Sequence, residues 1–316
     1  TSPLMFHANL IARTKQIKFA TGVMCLPQYH PAVQAGQAAM FDHLSKGRFI
    51  MGVGPGGLAS DFELFGVMDK DRMEMMEEAL EMMIELWTTE PPYKMHGKHW
   101  TIDMKEWTHH DIKLGYVPKP YQDPYPPVAI SAMSPHSGSL KFAGSKGYIP
   151  VSANFVATWS VETHWPAYCE GAKVGGITPN PEKWRVARSI YVADTDQEAE
   201  EFVKSPGGAY DYYYEYLFQI FERSDYKAPF VANRNDDPAK LTPQSIRDAC
   251  TIYGSPETVA NKILELRKRI GDFGTVLYAA HDWQDVGAMK KSMTMFAEEV
   301  MPRVNSKLDS KQASAG

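Results

Sequence analysis

The chain has 316 residues, 44 % of them hydrophobic and 22 % charged, and a net charge of −5. These ordinary globular proportions exclude collagen-like, low-complexity and wholly disordered chains, and no apolar run approaches the roughly 20 residues of a membrane-spanning helix. With 33 basic residues against 38 acidic ones and no basic block, neither nucleic acid nor a membrane surface is an expected partner.

Residues 3–14 predict a helix, because Leu4, Phe6, His7, Leu10 and Ile11 recur near the helical period. Residues 17–25 (IKFATGVMC) predict a buried strand, followed by a proline-containing loop at 26–31 and a helix over 32–44 that Gly47 terminates. A second apolar strand over 48–53 runs into Gly54-Pro55-Gly56-Gly57. Residues 71–87 predict an amphipathic helix whose Met73, Met76, Leu80, Met83 and Leu86 face the core. A hairpin follows at 93–104, then a strand at 127–133, a helix at 135–146 and a strand at 148–153. A helix at 158–172, a strand at 184–193 and a helix at 195–203 continue the alternation. Residues 205–250 are less regular, with an aromatic helical run and a polar loop. Ser255 and Pro256 open a helix over 255–270, a strand spans 274–281, and a closing helix spans 285–304. The polar residues 305–316 predict a disordered tail, leaving 1–304 as a single domain.

Apolar strands that alternate with helices predict a parallel sheet covered by helices, an α/β fold. Six strand–helix units are visible, whereas a (β/α)8 TIM barrel uses eight, at roughly 31 residues per unit. In such a barrel the chemistry lies where the strands end. His30 follows the first strand and is either a catalytic base or a structural turn residue. The glycines at 52–57 either form a tight turn or leave backbone free to meet a phosphate or a planar ring; Pro55 breaks the dinucleotide spacing. Ser134-Pro135-His136-Ser137-Gly138 suits an anion at a helix N-terminus, and equally suits simple capping. His281-Asp282-Trp283 closes the last strand as either a surface turn or part of a site, and the tyrosines of 210–216 suit packing or a pocket wall. His109-His110 has no partner ligands at metal spacing, so no metal site is expected. Cys25, Cys169 and Cys250 form neither a disulfide framework nor a zinc pattern, which predicts a reducing, cytoplasmic setting, and no secretory leader is visible. Without a nucleophile or Walker motif, the chemistry is expected to come from an organic cofactor.

The sequence resembles the bacterial luciferase-like, flavin-dependent monooxygenases. The likeness rests on Ala12-Arg13-Thr14-Lys15, Leu26-Pro27 with His30-Pro31, and Asp42-His43-Leu44-Ser45-Lys46-Gly47-Arg48. It continues through 52–57, Asp61-Phe62, Phe65-Gly66, 134–137, Tyr253-Gly254-Ser255-Pro256-Glu257 and 274–277. Residues 52–56 and 281–283 look most like the limonene-monooxygenase branch. The resemblance implies a luciferase-like TIM barrel, a homodimer, and reduced FMN (or FAD) supplied by a separate NAD(P)H-dependent flavin reductase. It implies reaction with O2 through a C4a-peroxyflavin and oxygenation of a small apolar aldehyde, ketone or terpene-like alkene. By position, Gly22 and Val23 match a cis peptide against the flavin ring, and Gly54, with Gly56 near it, matches a position beside C4a. His136 and Ser137 match the phosphate side, while Pro55 stands where luciferase has a phosphate-binding arginine. Family members begin with a strand, a helix and a strand ending in an acidic-His-His motif, which this chain does not contain, so an N-terminally incomplete barrel is expected. The same barrel also serves deazaflavin-dependent hydride transfer, and the missing motif admits a non-catalytic flavin-binding paralogue.

Overall fold

The computed structural model describes residues 2–281 and 284–315, with side chains followed as far as Asp309. The chain packs into two compact units, one ending at Ser131 and the other starting at Ala132.

In the first unit, helix α1 (Pro3–Ile11) starts with Ser2 as N-cap and Pro3 in its first turn. The single strand expected over 17–25 is two short strands, β1 (Phe19–Ala20) and β2 (Met24–Cys25). Both pair in parallel with β3 (Phe49–Gly54), Ala20 opposite Ile50 and Met24 opposite Val53. Residues 21–23 therefore oppose only 51–52, so an extra residue bulges out of the ladder and divides the strand. Helix α2 (Pro31–Ser45) is capped by the His30 side chain, and Lys46 ends it in the left-handed region at φ 54°.

Asp42 and Arg48, both within the resemblance, hold the framework together. Buried Asp42 accepts from the backbone and side-chain amides of Gln122, both at 2.8 Å. Arg48 donates to Ser45 O, Thr14 Oγ1 and Ile17 O, each at 3.0 Å, tying the ends of α1 and α2 to β3.

Short helix α3 (Ala59–Leu64) precedes α4 (Arg72–Thr88), whose Met76, Leu80, Met83 and Leu86 are buried as the periodicity predicts. The hairpin of β4 (Lys94–His96) and β5 (Thr101–Asp103) is antiparallel. Glu78 of α4 pins it by accepting from the backbone of Lys98, His99 and Trp100 at 2.8, 3.0 and 2.6 Å. Strand β6 (Val128–Ala132) joins β3 in parallel, Met51 opposite Val128.

In the second unit, α5 (Gly138–Lys146) leads to β7 (Ile149–Ser152). The helix expected over 158–172 is two, α6 (Thr158–Val161) and α7 (His164–Gly175). The break falls at Thr163, whose backbone N–H and hydroxyl both donate to Ser160 O, at 3.0 and 2.7 Å, a tightened turn in place of the i−4 bond. Strand β8 (Arg185–Val192) is central. It pairs in parallel with β7 through Arg185–Val186, with β10 (Thr275–Ala279) through Arg185–Ser189 and with β9 (Thr251–Gly254) through Ser189–Val192.

The connection after β8 contains α8 (Asp196–Val203), opened by a Thr195–Glu198 capping box, then α9 (Ala209–Arg223) and α10 (Pro243–Cys250). Beyond β9 come α11 (Pro256–Ile270) and, after β10, α12 (Val286–Met295), a π-helical turn at Phe296–Val300 and α13 (Met301–Ala315). The helix extends to Ala315, where a disordered tail was expected from Asn305 onward. Leu, Lys, Gln and Ala favour helix there, no Gly or Pro intervenes, and Lys307 Nζ donates to Asn261 Oδ1 at 2.8 Å. Val186, Ile190 and Val192 pack against Val259, Ile263 and Leu266 of α11, so one face of β8 is the floor of the core. Among the described residues no helix is long and apolar enough to cross a membrane, and no group of His, Cys, Asp or Glu is placed to hold a metal ion.

Candidate active site

The first unit brings Gly22, Val23, Gly54 and Gly56 to one end of its parallel strands. The Gly22–Val23 peptide is cis. A Cβ on Gly54 would lie 2.8 Å from Val23 Cγ2, so only glycine admits Val23 at this spacing. Gly56 sits at φ +88°, with Phe62 and Cys25 beside it. Thr21 supports the group from below: its hydroxyl donates to Gly52 O at 2.8 Å and accepts from Gly52 N at 2.9 Å.

A cavity of about 1110 Å³ in this unit is bordered by Gly22, Val23, Met24 and Cys25, with the apolar faces of α1 and α2 as its walls. Its rim exposes Met5, Phe6, Met40 and Leu44. Gln28 Nε2 donates to Asp61 Oδ2 at 3.2 Å among its few polar groups. Burial and the Asp61 carboxylate push the Cys25 thiol up, keeping it protonated and a poor nucleophile. His30 serves as a cap. Its Nδ1 accepts from Ala32 N at 3.2 Å, and its Nε2 lies 3.4 Å from Thr101 O, so both ring nitrogens have backbone partners. That geometry favours the turn-and-cap role over the base.

In the second unit, His136 and Ser137 form the turn into α5. His136 has φ +53° and donates its backbone N–H to Thr163 Oγ1 at 2.7 Å. Ser137 is buried and makes no side-chain cap; its hydroxyl meets Ser139 Oγ at 2.8 Å. The first-turn amides of α5 are thus not satisfied by the Ser137 side chain, the arrangement that suits an anion.

Sequence reasoning missed His164, which holds this turn from behind. Its Nε2 donates to Ser134 O at 3.1 Å, and its Nδ1 accepts from Ser152 Oγ at 2.8 Å, which in turn accepts from Trp184 Nε1 at 2.9 Å. Burial, with the Arg188 and His136 charges adding, lowers its pKa to about 4. The helical period around 164 marks a buried position, but nothing in the sequence marks a polar one.

A second cluster was only partly anticipated. Asn154 follows β7, Ser189 lies in the middle of β8, Thr251 opens β9 and His281 follows β10, so four neighbouring strands contribute. Ser189 Oγ lies 2.7 Å from Tyr214 OH, 2.9 Å from His281 Nε2 and 3.1 Å from Asn154 Nδ2. His281 is buried, and desolvation lowers its pKa to about 4. Of the aromatic run, Tyr210 and Tyr214 are buried, Tyr213 lies against His281, and Tyr212 and Tyr216 are exposed. Asp282 and Trp283, named with His281 in the sequence, lie outside the described residues.

The family model for luciferase-like monooxygenases matches residues 1–272. The chain is 30 % identical to 4-hydroxyprotoasukamycin monooxygenase of Streptomyces nodosus subsp. asukaensis, over 100 % of this chain and 81 % of that one. It is 30 % identical to limonene 1,2-monooxygenase of Rhodococcus erythropolis, over 97 % and 74 %. Among solved structures, the oxygenating constituent of 3,6-diketocamphane monooxygenase from Pseudomonas putida, in complex with FMN, superposes with a TM-score of 0.83. It shares 29 % identity over 96 % of this chain and 83 % of that one. The chain therefore belongs to the luciferase-like monooxygenase family and has that family's α/β fold.

Proposed function

We propose that the chain is the oxygenating subunit of a two-component monooxygenase that uses reduced FMN and O2 on a small, largely apolar organic substrate. The observation that carries this reading is the likeness, across nearly the whole chain, to an FMN-bound oxygenating constituent. The chain's own geometry fits a flavin. Glycines at 22, 54 and 56 leave backbone bare where a planar ring would lie, and Val23 offers that ring an apolar contact. In the second unit, His136, Ser137 and the first turn of α5 suit a phosphate group. Reduced flavin, when bound, supplies the electrons for O2 activation. The protein's part is to orient the ring, hold the phosphate and exclude water with apolar walls.

Equilibrium dialysis against FMN and against a deazaflavin tests the cofactor directly. FMN is expected to bind one per chain and to be preferred; strict preference for the deazaflavin would replace oxygenation by hydride transfer.

A further inference from the structure

Ser189 Oγ has one proton and two lone pairs to share among three neighbours. Asn154 Nδ2 can only donate, and does so at 3.1 Å. Tyr214 OH receives a proton from Thr251 Oγ1 at 3.2 Å and is wholly buried, so its own proton must go to Ser189, 2.7 Å away. Both Ser189 lone pairs are then taken. Its single proton goes to His281 Nε2 at 2.9 Å.

The imidazole is therefore an acceptor at Nε2, and its own proton sits on Nδ1. Burial keeps the ring neutral, which makes this one tautomer and not an imidazolium. The ring is wedged in place. Tyr213 lies across it at 4.1 Å between centroids, and Tyr210 meets it edge-on at 4.6 Å. Among the described residues no acceptor meets Nδ1–H. A fixed, neutral donor at the ends of parallel strands is a recognition group awaiting an acceptor.

We propose that His281 donates its Nδ1–H to an oxygen atom of the organic substrate, with Ser189 and Tyr214 as positioning residues that hold the tautomer. Resting on the oxygenase reading above, this narrows the substrate class to compounds that already carry an oxygen acceptor, a ketone or aldehyde in preference to a plain alkene.

The test compares two probes of one skeleton, camphor with its carbonyl and camphane without it, by ligand-observed NMR on the FMN-loaded protein. Wild type is expected to favour camphor by about tenfold, the value of one net hydrogen bond. His281→Phe should abolish that preference, so that the two probes bind equally. His281→Asn, whose amide nitrogen reaches the Nδ1 position, should keep it; His281→Gln, which reaches the Nε2 position, should not. Equal binding of the two probes by wild type, a preference surviving in His281→Phe, or rescue by Gln and not Asn overturns the assignment. FMN titration of the same samples separates the two claims. Intact FMN binding without a carbonyl preference removes only the His281 role. Failure of wild type to bind FMN removes the flavin reading, while the same probes on flavin-free protein still decide His281.

Discussion

Thr21 and Gly52 exchange two hydrogen bonds through one hydroxyl, which donates to the glycine carbonyl at 2.8 Å and accepts from its amide at 2.9 Å. This side chain takes the place of ladder partners where three residues of one strand face two of the other. Thr21→Val keeps the shape but leaves two buried backbone groups unpaired, so urea unfolding should give a loss of about 2–4 kcal/mol. Thr21→Ser should recover most of it. A Val variant as stable as wild type would mean that water or another group replaces the hydroxyl.

The alternation of helix and strand was legible because β3, β6 and β8 are apolar and buried along most of their length, and helices such as α4 and α11 carry an apolar stripe. The bulge at 21–23 was not, since IKFATGVMC is mostly apolar and gives no sign that Thr21 turns onto Gly52. Strand β9 was hidden for a related reason. Thr251–Gly254 is four residues long and follows α10 without a connecting loop, so no turn residue announces it. At the site, the glycines were legible because close backbone approach demands that residue type, and a Cβ on Gly54 would meet Val23 at 2.8 Å. His164 and the Ser189 network were not, because a buried hydrogen bond depends on partners 12 to 92 positions away.

His30 should behave as a helix cap and not as a catalytic group. His30→Ala removes the side-chain acceptor for Ala32 N and is expected to cost about 1 kcal/mol, with His30→Asn close to wild type. Thermal unfolding measures the cost. A fall in turnover of more than about tenfold in a folded His30→Asn variant would return the residue to the catalytic list.

Stability should decline on mild acidification. His164 and His281 are both held at about 4, against 6.5 ordinarily, so between those values the unfolded chain binds more protons than the folded one. Their neutral forms give full stability above the unfolded value, and that contribution is lost as pH falls toward the folded one. At about pH 5 the loss should approach roughly 2 kcal/mol for each histidine, read from urea midpoints. His281→Asn should remove about half of this slope; an unchanged slope would mean that His281 is already protonated or solvated in the folded protein.

Ser137→Asp places a negative charge at the start of α5, where the phosphate is assigned. FMN should bind about tenfold more weakly, and riboflavin, which lacks the phosphate, within about twofold of wild type. Fluorescence quenching of each flavin gives both constants. Equal loss for the two would place the phosphate elsewhere.

The most direct measurement is the fate of labelled oxygen. The chain, a flavin reductase, FMN, NADH and a cyclic ketone would be incubated under ¹⁸O2 and the organic product weighed by mass spectrometry. One ¹⁸O atom in the product, dependent on both the chain and FMN, is the predicted result. Substrate turnover without label, or with a deazaflavin alone, would contradict the account.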